Sequence, residues 1–156
     1  GTENVVYSTK TTYPLAVGSK PRGVAVGDLN KDGFIDIAVA ESGTDKVTVA
    51  FNNPMSLGNF IISPTQYDVG PNPISIVLTD ANLDGNLDII TANEDDGTIT
   101  LVSLDSSLNA ISTVNYIVGN TPFDLVAGRL DDDLDPDLVT SISGEDGMSI
   151  VLNINE

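Results

Sequence analysis

Two nine-residue segments, Asp28-Leu-Asn-Lys-Asp-Gly-Phe-Ile-Asp36 and Asp80-Ala-Asn-Leu-Asp-Gly-Asn-Leu-Asp88, carry the residues best suited to chemistry. Each places side-chain oxygens at positions 1, 3, 5 and 9 and glycine at position 6: Asp28, Asn30, Asp32 and Asp36 in the first, Asp80, Asn82, Asp84 and Asp88 in the second. Calcium takes about 6–8 oxygens, and a main-chain carbonyl at position 7 (Phe34 or Asn86) plus water would complete such a shell. Three carboxylates and one amide carbonyl per loop, in a chain without His or Cys, argue against zinc and the softer transition metals. A solvated Asx/Gly turn is the bland alternative for one acidic loop. A second copy 52 residues further on favours the metal.

The residues after each loop decide which architecture positions it. An EF-hand loop carries a bidentate Glu at position 12 and runs into a helix. Here position 12 is Val39 or Thr91, and the flanks Ile35–Ala40 and Leu87–Ala92 are rich in β-branched residues with no helical stripe. Each loop is therefore expected to join two strands.

The surrounding sequence repeats. Tyr67-Asp-Val-Gly70 precedes Pro73 and Asp80, Tyr116-Ile-Val-Gly119 precedes Pro122 and Arg129, and Tyr13 to Gly18 precedes Pro21 and Asp28. After each loop come a strand, an acidic glycine-containing turn, a third strand and a fourth that leads to the next Tyr. Loop spacing is 52 and then 49 residues. Four short strands in about 50 residues signal β-propeller blades. The expected fold is all-β, with blades near residues 23–69, 74–118 and 123–154 in a single domain.

These repeats resemble FG-GAP/VCBS-type blades, known from integrin α-subunit heads and from secreted microbial proteins. The resemblance covers essentially the whole chain in three copies. It implies one calcium per complete loop, held by Asp28, Asn30, Asp32, Asp36 and the Phe34 carbonyl, and by Asp80, Asn82, Asp84, Asp88 and the Asn86 carbonyl. The third copy, Arg129-Leu-Asp-Asp-Asp-Leu-Asp-Pro-Asp137, has Arg at position 1 and Leu134 in place of the turn glycine. Arg129 is expected to act as an internal cation, its guanidinium forked onto Asp131, Asp133 and Asp137, leaving that loop metal-free, with a weakened calcium site as the alternative.

Strand order carries a further expectation. Residues 4–17 align with the fourth strands, while the last repeat stops after its third. Propellers have about 4–8 blades, so a homodimer by strand exchange is expected, each chain's strand 4–17 completing the partner's last blade in a six-bladed ring. The competing account is a segment of a larger propeller.

Charge excludes other classes. Six basic against 23 acidic residues give a net charge of −17, which opposes nucleic acid and anionic membranes as partners. No apolar run approaches the roughly 18 residues of a membrane span, and no apolar leader opens the sequence. Without His or Cys, imidazole- and thiolate-based catalysis is excluded, and the paired carboxylates are accounted for as calcium ligands. The expected function is a non-enzymatic, calcium-stabilised, secreted binding or adhesion module with a protein or glycan ligand. A carbohydrate-binding lectin and the scaffold propeller of a polysaccharide-degrading enzyme are the alternatives.

Overall fold

The computed structural model describes residues 10–56 and 58–154. Among them are eleven strands and no helix. Strands β1 (Pro21–Gly27), β2 (Asp36–Glu41), β3 (Lys46–Asn52) and β4 (Phe60–Asp68) form one antiparallel sheet in sequence order. Strands β5 (Pro73–Thr79), β6 (Asp88–Asn93), β7 (Thr98–Leu104) and β8 (Ala110–Ile117) form a second. Strands β9 (Pro122–Gly128), β10 (Asp137–Ile142) and β11 (Gly147–Val151) form a third sheet of three strands. A Gly-x-x-Pro element leads the chain into each sheet. The residue before the proline (Lys20, Asn72 or Thr121) adopts a left-handed conformation, with φ of 45°, 53° and 54°.

The sheets stack face to face through two apolar layers. Ala38, Ala40, Val47 and Val49 of the first sheet meet Ile76, Ile89, Val102 and Leu104 of the second. Ile90, Ala92 and Ile99 on the opposite face of the second sheet meet Leu125, Leu138 and Ile142 of the third. Central strand β6 is buried at all six residues. It is covered on both faces, and so its sequence shows no period-2 alternation. The first strands approach closely: a Cβ on Gly23 would stand 3.0 Å from Ser75 Cα, and one on Gly27 would meet Leu87 Cδ1 at 2.7 Å. This contact sets the first two nine-residue loops side by side at one end of the stack.

Three sheets make an open stack, and no strand among the described residues closes it into a ring. Its two outer faces remain apolar: Val24 and Val26 on the first sheet, Val126, Met148 and Ile150 on the third. The expected strand at 4–17 is not formed where it is described. Residues 10–17 contain no strand, residues 1–9 lie outside the described residues, and β11 has no further neighbour among those described. The unpaired β11 edge belongs to the third sheet whereas Pro21 opens the first, so within one chain residues 10–17 do not pair with it.

A tyrosine latches the first sheet to the second. The Tyr67 hydroxyl, at the end of β4, donates to the Leu108 carbonyl in the β7–β8 connection at 2.8 Å. Tyr13 does the same one sheet earlier, donating to the Gly58 carbonyl and accepting from the Phe60 amide, with its ring edge-on to Phe60. Tyr116 holds the same place in β8 but is 41 % exposed.

Burial, reinforced by the nearby Asp105 carboxylate, raises the Tyr67 phenol above its ordinary value. The neutral phenol therefore stabilises the fold fully below the unfolded value of about 10, and that contribution is lost as pH rises through the higher folded value. Tyr67→Phe should cost about 1 kcal/mol at pH 7. Urea melts from pH 8 to 11 should show a stability loss in the parent protein that the variant lacks.

Candidate metal centre

Both complete loops fold alike, residue for residue. Positions 4 and 6 are left-handed: Lys31 and Gly33 at φ 58° and 87°, Leu83 and Gly85 at 57° and 85°. Glycine takes this conformation without penalty, whereas Lys31 and Leu83 hold it at a cost of order 1 kcal/mol each. The reversal wraps the backbone around the position-1 carboxylate. Asp28 accepts the Asp32 and Gly33 amides at 3.0 and 2.9 Å, and Asp80 accepts those of Asp84 and Gly85 at 3.0 and 2.8 Å. The position-3 amides bridge to position 5: Asn30 Oδ1 accepts the Asp32 amide while its Nδ2 donates to Asp32 Oδ2, and Asn82 pairs with Asp84 in the same way. Asp32 and Asp84 in turn accept the amides of Phe34 and Asn86.

Position 9 is set apart from this turn. Asp36 and Asp88 are fully buried at the start of the second strand of their sheets. Asp36 accepts the Leu29 amide on one oxygen and the Asn52 amide on the other; Asp88 accepts those of Ala81 and Leu104. Each carboxylate thus clips its loop to the end of the third strand. Asp137 makes the same clip with Leu130 and Asn153 in the third sheet. Burial raises the Asp36 and Asp88 carboxyls above the usual carboxylate range, against the pull of those amides. At position 5 the Asn86 amide leads in lowering Asp84, helped by Asn82 and the charge of Lys31.

The third loop differs in backbone as well as sequence. Neither Asp132 nor Leu134 is left-handed. The bonds from Asp133 N to Asp131 and from Asp135 N to Asp133 survive, but with Arg129 at position 1 the central carboxylate is gone. The expected fork of Arg129 onto its own loop is not found. Among the described residues the one ion pair joins Lys46 to Asp68. Arg129 instead faces a groove shared with Thr79, Asp80, Leu83 and Leu134. Without the left-handed turns the loop does not curl back over position 1, so its carboxylates stay out of the guanidinium's reach. The Asp135 amide lowers the Asp133 carboxyl, but burial and the neighbouring Asp131 and Asp135 outweigh it and raise the value overall.

Positions 1, 3 and 5 are brought together in each complete loop, and position 9 faces backbone amides. Among the described residues no three acidic side chains already converge as a metal cluster. The donors nevertheless fit a hard divalent cation: every candidate atom is oxygen, each carboxylate oxygen keeps a second lone pair, and the Asn86 Oδ1 is buried with no hydrogen-bond partner. Asp28, Asn30, Asp32, Asp36 and the Phe34 carbonyl would hold one ion, with Asp80, Asn82, Asp84, Asp88 and the Asn86 carbonyl holding the other. Its chemistry there is charge neutralisation.

Two features escaped sequence reasoning. One is the double amide acceptance at position 9. The other is a buried polar network at the β6–β7 turn, where Asn93 bonds Thr91, Thr98 and Thr100 and Thr100 accepts the Gly70 amide. Its residue types were visible, but short polar side chains beside a turn look the same whether solvated or buried.

Comparison with curated proteins gave no match to the chain. The FG-GAP-like repeat family matches residues 28–91, a stretch that opens on Asp28 and takes in all ten candidate ligand residues of the two complete loops. Residues 28–91 are thus similar to FG-GAP-like repeat sequence, set in a β-rich repeat fold consistent with the FG-GAP/VCBS type.

Proposed function

We propose that the chain is a non-catalytic, calcium-stabilised binding module of the extracellular space, its sheets the blades of a propeller arc that a second copy completes. The observation that carries the calcium reading is the identity of the two loops, each held in two left-handed residues around a carboxylate. Such strain is maintained where a site requires it. A charge of −17 favours cation uptake, and extracellular modules work at calcium affinities of about 10⁻⁴–10⁻³ M.

The second copy is supported by the outer faces. By repeat position, Val24 and Val26 correspond to Ile76 and Leu78, which pack toward the preceding sheet. Val126 and Ile150 correspond to Val77 and Leu101, which pack toward the following one. One end of the stack thus has the shape the other end accepts.

A glycan-binding reading has one observation in its favour. A groove of about 680 Å³ between β4 and β8 is lined by hydroxyl and amide groups of Ser63, Thr65, Gln66, Asn109 and Thr113. A glycan array that lit up, and went dark with Gln66→Ala, would favour it.

Calorimetric titration of chelator-treated protein tests the main reading. About two calcium ions per chain should bind, raising the melting temperature through a stabilisation of about 2.7 kcal/mol per site at 100-fold excess over Kd. Asp32→Ala and Asp84→Ala should each remove one ion. An unchanged melting temperature in EDTA, with no ion retained, would overturn it.

A further inference from the structure

The two loops share a sequence pattern and a backbone, yet their surroundings differ in charge. Lys31 projects from position 4 of the first loop, in its left-handed conformation, toward the second. Its Nζ lies 3.8 Å from where a Cβ on Gly85 would stand, and nothing else lies within 4 Å of that point. On the other flank Arg129 shares a groove of about 380 Å³ with Asp80 and Leu83. Two of the chain's six basic residues are therefore lodged against the second loop. Lys31 belongs to the first loop, yet its ammonium lies over the second: among the described residues the corresponding point over Gly33 has nothing within 4 Å.

Resting on the calcium reading above, we infer that Lys31 and Arg129 act as built-in counter-ions of the second loop and make it the weaker of two unequal cation sites. A divalent ion entering beside Gly85 meets an ammonium on one side and a guanidinium on the other. Both are exposed, so each repulsion is of the size found between charges in water, and salt screens it. The first loop fills first. The second fills at higher calcium, and its affinity depends differently on ionic strength because salt weakens the opposing cations as well as the attracting carboxylates.

Neither side chain needs to move far for this to work. Lys31 has a flexible stem that swings aside without disturbing the loop's hydrogen bonds, none of which it makes through its ammonium. The consequence is a chain whose calcium response is spread over a wider concentration range than two equal sites would give.

The test isolates each loop. Asp32→Ala leaves the second loop to be titrated with calcium chloride, and Asp84→Ala leaves the first. The isolated second loop should bind more weakly. Adding Lys31→Met with Arg129→Met to the Asp32→Ala chain should tighten it roughly three- to tenfold at low salt. At 1 M salt, where the Debye length is about 3 Å, that gain should largely vanish. Calcium-free melts confirm that each variant is folded. Equal affinities in the two single-loop chains, or no tightening at low salt in the double methionine variant, would overturn the inference. Absence of binding in every chain would instead remove the calcium reading beneath it, a distinct result.

Discussion

Asp88→Ala is expected to lower the unfolding free energy by about 2–5 kcal/mol in calcium-free buffer, the largest effect of any single loop residue. The substitution strips the buried amides of Ala81 and Leu104 of their acceptor at once, and each buried, unsatisfied donor costs about 1–3 kcal/mol. Release of a carboxylate that burial disfavours returns part of that. Asp137→Ala provides the control. It breaks the same clip in the third sheet, where the Leu130 and Asn153 amides are only partly buried, and should cost about 1–3 kcal/mol. Urea unfolding with and without calcium separates two roles of the same residue type. Loss of Asp88 should abolish one calcium-dependent gain, whereas loss of Asp137 should leave both gains intact. A silent Asp137→Ala would mean the clip contributes nothing and that position 9 matters for metal alone.

Light scattering on the native protein is expected to give about twice the 16.3 kDa chain mass. Two exposed apolar faces per chain, one at each end of the stack, would both be covered in a closed pair. Val24→Glu on one face and Ile150→Glu on the other should each reduce the mass to that of one chain while leaving the stack folded, since neither side chain belongs to an inter-sheet layer. The effect is all-or-none: each face meets the other kind twice in a two-fold ring, so one charged substitution introduces two buried charges per pair. A compact native species of single-chain mass at tens of micromolar would sink the pairing. Masses that grow with concentration past two chains would point to open head-to-tail chains.

The legible part of this structure was the part written in local rules. Asp-x-Asn-x-Asp-Gly fixes its own turn through side-chain oxygens two to five residues away, and glycine at position 6 announces the left-handed residue it supplies. Alternation in Lys46–Phe51 and Thr98–Val102, bounded by acidic glycine turns, marked strands that the sheets contain. What failed depended on partners distant in sequence. Arg129 opens a loop rich in carboxylates, and proximity suggested a fork; the carboxylate that shares its groove, Asp80, belongs to the neighbouring loop, which strand spacing alone does not reveal. Residues 10–17 share the composition of a fourth strand, and forming one on a partner's β11 is a property of the pair rather than of one chain. Asp36 and Asp88 could be identified as candidate ligands, while their second occupation, holding Asn52 and Leu104, required knowing where the third strand ends.

The tyrosine latches give this repeat array a grammar of direction. The Tyr67 hydroxyl reaches forward, from the fourth strand of the first sheet to a main-chain oxygen in the outer connection of the second. Tyr13 reaches the matching connection of the first sheet from outside any described strand, and among the described residues no equivalent arm reaches back. A main-chain carbonyl is indifferent to side-chain identity, so the outer connections are free to drift in sequence and length, as Asn53–Asn59 and Asp105–Asn109 already do, provided one oxygen arrives beneath the phenol. Damage therefore travels one way: loosening the first sheet unmoors the rim of the second, whereas loosening the third leaves both predecessors fastened.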